Sequence, residues 1–294
     1  MHVTDSYLLL YYILRTIGAA PYKIKIVKNV KVVCESKFYL KYSKIIYFVI
    51  TLVTMYDIPF NISDLSRLKN KISIIFNIID LFIGRICIYA PSIIILHNSK
   101  LLCNIQNNLN ELFAGIVSEK NEKLKNLRNI NNFFLMCDMT VLILVFFCNF
   151  MDKNKNFPKE SFFHNFCFVA FHSITHLVKF IPAIQYFGLV NIIRCIYSNI
   201  SNTIHLRPAE VSIKNIRIID DTLKDIFYDI NSVFSNIILL VIVRAFMLFV
   251  NGTVLLITQA GNILTLDFIV WIIYLIFYLG AIIKITLLTS AEVI

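Results

Sequence analysis

Charge is scarce in this chain. Asp, Glu, Lys and Arg make up 16% of 294 residues, against about a quarter in a soluble domain. Glycine (7), proline (6) and tryptophan (1) are few as well. No Gly-rich phosphate loop, no Gly-x-Ser-x-Gly and no pair of carboxylates suited to a cleft occurs, so no enzymatic chemistry is expected. The seven cysteines, Cys34, Cys87, Cys103, Cys137, Cys148, Cys167 and Cys195, include no Cys-x-x-Cys. Their odd number and their places in or beside apolar runs exclude a disulfide framework and a zinc site; small buried hydrophobes is the plainer reading. A basic n-region is missing ahead of the mildly apolar 6–20 segment, so no cleavable signal peptide is read there.

Apolar residues fill the space that charge leaves. Ala, Val, Ile, Leu, Met, Phe, Trp, Tyr and Cys amount to 58% of the chain. They fall in continuous runs, which excludes the short alternating segments of a β-barrel. The expected fold class is an all-α polytopic membrane protein with six transmembrane helices, at about 42–60, 72–96, 133–150, 162–182, 237–257 and 263–288. An N-terminal arm, 1–39, precedes the helical bundle of 40–294. Its lysines (Lys23, Lys25, Lys28, Lys31) suggest an interfacial amphipathic segment. The fourth span remains helical in character to about residue 200, with Pro182 as a possible kink. The fifth has a half-polar preface with Leu223, Ile226, Phe227, Ile230, Val233 and Phe234 at helical spacing. Both predict long helix extensions into the cytosol.

The formal net charge is +10. No basic cluster is interleaved with aromatics, so no nucleic-acid partner is expected and the cations are read as topology signals. Assigned to the two sides of the six spans, 18 Lys and Arg fall on the side of the N-terminus and 6 on the other. The excess predicts a cytosolic N-terminus in a multi-pass plasma-membrane protein. On that topology Asn61-Ile-Ser63 lies in an outer loop as a glycosylation acceptor, Asn199-Ile-Ser201 lies inside, and Asn251-Gly-Thr253 lies too deep.

Three stretches carry a family resemblance. Leu223, Asp225, Ile230-Asn231, Phe234, Ile238-Leu239-Leu240 and Phe246 follow the fifth-helix signature of insect gustatory receptors, with Ser235 in place of the usual Gly. Tyr11-Tyr-Ile-Leu-Arg-Thr-Ile-Gly-Ala-Ala-Pro-Tyr22 resembles their amino-terminal motif, a short aromatic-Leu helix ending in Gly-x-x-Pro. Leu287-Leu-Thr-Ser-Ala-Glu292 resembles the segment after their sixth helix, with the Glu-Ala order reversed. The cytosolic N-terminus agrees with the family and not with a G-protein-coupled receptor. The resemblance implies a tastant-gated cation channel subunit, tetrameric as a homo- or hetero-oligomer, with a small-molecule tastant bound in the outer half of the helix bundle. Family members continue into a seventh, pore-lining helix, and the expectation is that this chain stops before it. Two other readings stand beside this one: a small-solute transporter, and a non-conducting fragment or partner of full-length receptors.

Candidate site residues follow from depth. Arg85, Asp138 and Arg244 each lie roughly 18–20 Å below the outer ends of their spans at about 1.5 Å per residue. Equal depth allows Asp138 to pair with either arginine. Such a pair would remove a cost of about 2.5–3.5 kcal/mol for a lone charge; a structural clamp between helices is the plainer role. Phe147, His172, Phe249 and Trp271 fall in outer halves as candidate ligand-binding positions, with ordinary packing or lipid contact as the alternative. His172 and His176 are one turn apart, but Ser173 follows where a His-Glu-x-x-His hydrolase has Glu, and no third ligand is apparent. No metal or other cofactor is expected.

Overall fold

The computed structural model describes residues 8–27, 30–65, 71–116, 120–156, 162–206 and 213–258, together with Ser6, Ile276, Leu279, Gly280 and Ile283. In chain order these form helix α1 (Leu8–Thr16), strands β1 (Tyr22–Val27) and β2 (Val30–Glu35), and helices α2 (Lys37–Leu65), α3 (Lys71–His97), α4 (Ser99–Ile116), α5 (Lys120–Asn156), α6 (Phe162–Leu206) and α7 (Ile213–Thr258). The mostly helical class agrees with the sequence. The expected spans at 42–60, 72–96, 133–150, 162–182 and 237–257 each fall inside one of these helices. The sixth, at 263–288, lies outside the described residues but for four positions.

Two elements depart from the expectation. Segment 22–35 is an antiparallel hairpin, Tyr22 pairing with Glu35 and Val27 with Val30, so the fold is not wholly helical. Tyr-Lys-Ile-Lys-Ile-Val alternates polar and apolar residues, and both it and Val-Lys-Val-Val-Cys-Glu have the β-branched content of strands. Helix α4 is the other. It leaves α3 at a bend of 68° and buries Leu102, Cys103, Ile105, Gln106, Leu109 and Phe113 along one face.

The N-terminal arm is folded, not merely laid on an interface. Helix α1 closes in a Schellman motif: Ala19 N–H donates to Leu14 O at 2.6 Å and Gly18 N–H to Arg15 O at 3.2 Å. Gly18 has φ +79°, and a Cβ there would stand 3.2 Å from Ser43 Cα and 3.3 Å from Ile46 Cβ. Both the backbone conformation and the close approach to α2 require glycine. The expectation that Gly18 closes this helix is met.

Burial divides the molecule in two. Leu10, Tyr11 and Leu14 of α1, Tyr22 and Val33 of the hairpin, and α4's inner face share one core with Ala183 to Tyr197 of α6 and Leu223 to Ala245 of α7. We call this part the base. Elsewhere the helices expose large apolar side chains: Phe48, Leu52 and Met55 on α2, Ile75 and Phe82 on α3, Phe147 on α5, Phe162 on α6, Phe246 and Phe249 on α7. Exposed apolar surface on that scale marks an interaction site or a lipid-facing surface. Among the described residues, Lys37–Met55 and Ile213–Met247 are long and apolar enough to cross a membrane, and a third span results if the bent pair Leu81–His97 and Ser99–Ile116 counts as one.

Candidate functional site

A dense set of polar contacts lies in the base, whose core contains both the 11–22 and the 223–246 segments. Tyr22 is fully buried between three elements. Its hydroxyl oxygen accepts from Gln106 Nε2 of α4 at 3.0 Å and from Gln185 Nε2 of α6 at 3.1 Å. Tyr11 stacks on it, ring centroids 5.6 Å apart, and donates its hydroxyl to the Tyr22 carbonyl at 3.1 Å. Burial pushes the Tyr22 phenol well above its ordinary pKa, and that of Tyr11 upward with Arg15 opposing, so both are neutral donors and acceptors at physiological pH. One phenol thus ties the arm to two helices far away in sequence.

The hairpin is held along its second strand. Asn107 of α4 accepts from Val33 N–H at 2.8 Å and donates to Val33 O at 2.9 Å. A side-chain amide therefore stands where a third strand would pair. One turn on either side of Cys103 along α4, Ser99 donates to Glu35 and Asn107 holds Val33. Asn199 of α6 seals a helix end by donating to Ile116 O, the last carbonyl of α4, at 2.8 Å, and Asn131 of α5 donates to Ser6 O, ahead of α1, at 3.2 Å. From the fifth-helix motif, Asn231 accepts from the Tyr186 hydroxyl at 3.5 Å, and Phe234 meets the Tyr186 ring at 5.9 Å. Tyr197 donates to Asp220 at 3.1 Å, and Asp220 pairs with Lys224 one turn along. Burial and the Asp220 charge push the Tyr197 phenol upward.

The sequence-based candidates are placed as follows. Arg244 of α7 packs on Gly84 of α3: a Cβ at Gly84 would stand 3.5–3.6 Å from three guanidinium atoms. Cys87 Sγ, one turn on, donates to Leu240 O at 3.5 Å. The structure therefore brings the Arg85 segment and Arg244 to one α3–α7 contact. Asp138 lies on α5, which packs chiefly on α6, and its side chain is outside the described residues. Phe147 and Phe249 are 59% and 55% exposed, on outward faces of α5 and α7. Phe147 touches Phe146, which with Phe150, Phe162 and Phe166 forms a ring cluster across α5 and α6. His172 lies in α6 with its side chain outside the described residues, as is the whole of Trp271. Asn61 is in the last turns of α2 and not in a loop, because α2 continues to Leu65. No cluster of three or more His, Cys, Asp or Glu able to hold a metal occurs among the described residues.

Sequence reasoning misses Gln106, Gln185 and Asn107, whose role depends on partners 84, 163 and 74 residues away. Their signal is slight: amides at i, i+1 on the polar-apolar boundary of an amphipathic segment. Comparison with protein-family models finds no match, and comparison with curated proteins finds none either.

Proposed function

We propose that the chain is a gustatory-receptor-like membrane protein, a subunit of a tastant-gated cation channel at the cell surface with its N-terminus in the cytosol. One observation carries the reading. The amino-terminal segment 11–22 and the fifth-helix segment 223–246, which carry the resemblance, are packed into a single core: Tyr11, Leu14 and Tyr22 share it with Leu223, Ile226, Ile230 and Phe234. Two motifs buried in one core belong to one folding unit, which favours a common origin over chance similarity of two short stretches.

The helix lengths support the same reading. Helices α6 and α7 have 45 and 46 residues, or roughly 70 Å at about 1.5 Å per residue, far beyond the about 30 Å of a hydrocarbon core. The part that packs in the base supplies the cytosolic anchor, and the part with exposed apolar faces supplies the bundle in which a tastant binds. Subunits assemble as a homo- or hetero-oligomer, a tetramer by resemblance. Residues around the outer ends of α5 to α7, Phe147, His172 and Phe249 among them, are the positions to vary in search of the ligand.

The test is electrical. The chain, expressed alone and with other gustatory subunits, is challenged under voltage clamp with sugars, amino acids and bitter alkaloids. A cation current evoked by one class, altered by Phe249→Ala, is the expected result. Solute uptake without a ligand-evoked current would favour a transporter instead.

A further inference from the structure

We infer that the first two turns of α2 form a binding site for the headgroup of an anionic phospholipid, built from Lys37, Lys41 and Lys44 and flanked by Phe38 and Ile45. The three lysines are spaced i, i+4 and i+7 and are all exposed, so they stand in one stripe on one face of the helix. None of the three makes a hydrogen bond or ion pair among the described residues. The acid nearest in sequence, Glu35, is taken up by Ser99. Another cation, Arg15, is held over the Tyr39 ring with its Cζ 3.6 Å from the centroid. The opposite face of the helix is closed: Ser43 and Ile50 are buried, and Tyr42 donates to Thr16 O at 2.9 Å. Among the described residues, then, the lysines take no part in holding the fold.

The same exposed stripe changes character within one turn. After Lys44 it continues as Ile45, Phe48, Val49, Leu52 and Met55, all exposed, inside a stretch long and apolar enough to cross a membrane. From Lys37 to Lys44 the stripe rises about 10 Å, comparable with the polar layer of about 5–8 Å on each side of a bilayer. A row of ammonium groups directly above a hydrocarbon-facing row matches one ligand chemistry: a phosphate or carboxylate headgroup covalently joined to acyl chains. Phe38, 70% exposed at the same level, suits the interfacial position that aromatic rings favour. This inference rests on α2 crossing the bilayer and not on the receptor reading, since a chain that conducts no current would still hold the lipid.

The test is native mass spectrometry of the purified full chain, titrated with phosphatidylserine or phosphatidylcholine. Phosphatidylserine should be retained in preference. Binding should weaken on the order of 100-fold in the Lys37→Gln/Lys41→Gln/Lys44→Gln variant, from about 1 kcal/mol for each lysine near the surface. It should persist in the Lys→Arg triple and in a control that removes equal charge elsewhere, Lys125→Gln/Arg128→Gln/Lys214→Gln. Equal retention of the two lipids by the wild type, an unchanged glutamine triple, or displacement of phosphatidylserine by inorganic phosphate would each overturn the site. Should the glutamine triple fail to insert, a photoactivatable phosphatidylserine applied to the wild type decides the matter. Label within 37–55 supports the site, and label confined to other segments refutes it.

Discussion

At the residue scale the base depends on a few side chains with no substitute. Tyr22→Phe keeps the ring stacking on Tyr11 and leaves the Gln106 and Gln185 amides without their shared acceptor. A loss of about 1–3 kcal/mol is expected, read as a lower melting temperature in detergent. The Tyr22 phenol also sets a pH dependence. Its folded pKa is raised above the ordinary value of 10.0, so the folded state keeps its proton while the unfolded chain gives it up. The stabilisation is fully present below pH 10 and is lost as pH rises past it; melting curves on either side of pH 10 should show the loss in wild type and a smaller one in Tyr22→Phe. Glycines differ by their surroundings. Gly18→Ala meets Ser43 and Ile46 backbone and Cβ atoms in a left-handed conformation and should cost about 1–3 kcal/mol. Gly84→Ala meets only the flexible end of Arg244 at ordinary contact distance and should shift the melting temperature little, whereas Gly84→Leu should displace the guanidinium and destabilise the α3–α7 contact.

At the element scale the hairpin and α4 act as one unit. Asn107→Leu removes both bonds to the Val33 backbone, so amide exchange at Val33 should accelerate while exchange in α7 stays slow, measured by mass spectrometry. The long helices were legible from sequence because apolar runs of this length have one outcome in a bilayer. The hairpin and α4 were not. In the hairpin, Lys23, Lys25 and Lys31 interrupt the β-branched residues, and the basic segment reads as an interfacial amphipathic one. In α4, Asn104, Asn107, Asn108 and Asn110 give a loop-like composition, and the apolar face becomes meaningful only once α6 and the hairpin are there to cover it. The site was legible in part: Tyr11, Tyr22 and Phe234 lie in motifs the sequence displays, while Gln106 and Gln185 gain their role from a partner that no local pattern reveals.

At the scale of the whole molecule, one chain carries two kinds of surface. The base buries Ile192, Ile193, Leu223 and Ile230 completely, and Tyr22, Gln106 and Gln185 bond to one another inside it. The rest turns Phe48, Phe82, Phe147 and Phe246 outward, where water would penalise them by about 25 cal/mol per Å² of apolar area. On the proposed reading a bilayer surrounds that half, removes the penalty and leaves the lysine stripe of α2 at its edge. The most direct measurement is a depth profile by spin labels placed singly at Phe38, Lys41, Ile45, Phe48, Leu52 and Met55, with the protein in lipid vesicles. Accessibility to oxygen should rise, and accessibility to a water-soluble nickel chelate should fall, from Ile45 onward, while labels at Lys41 and at Tyr228 on the base stay open to the chelate. Equal access of the chelate to Phe48, Leu52 and Met55 would place α2 in water and contradict the account.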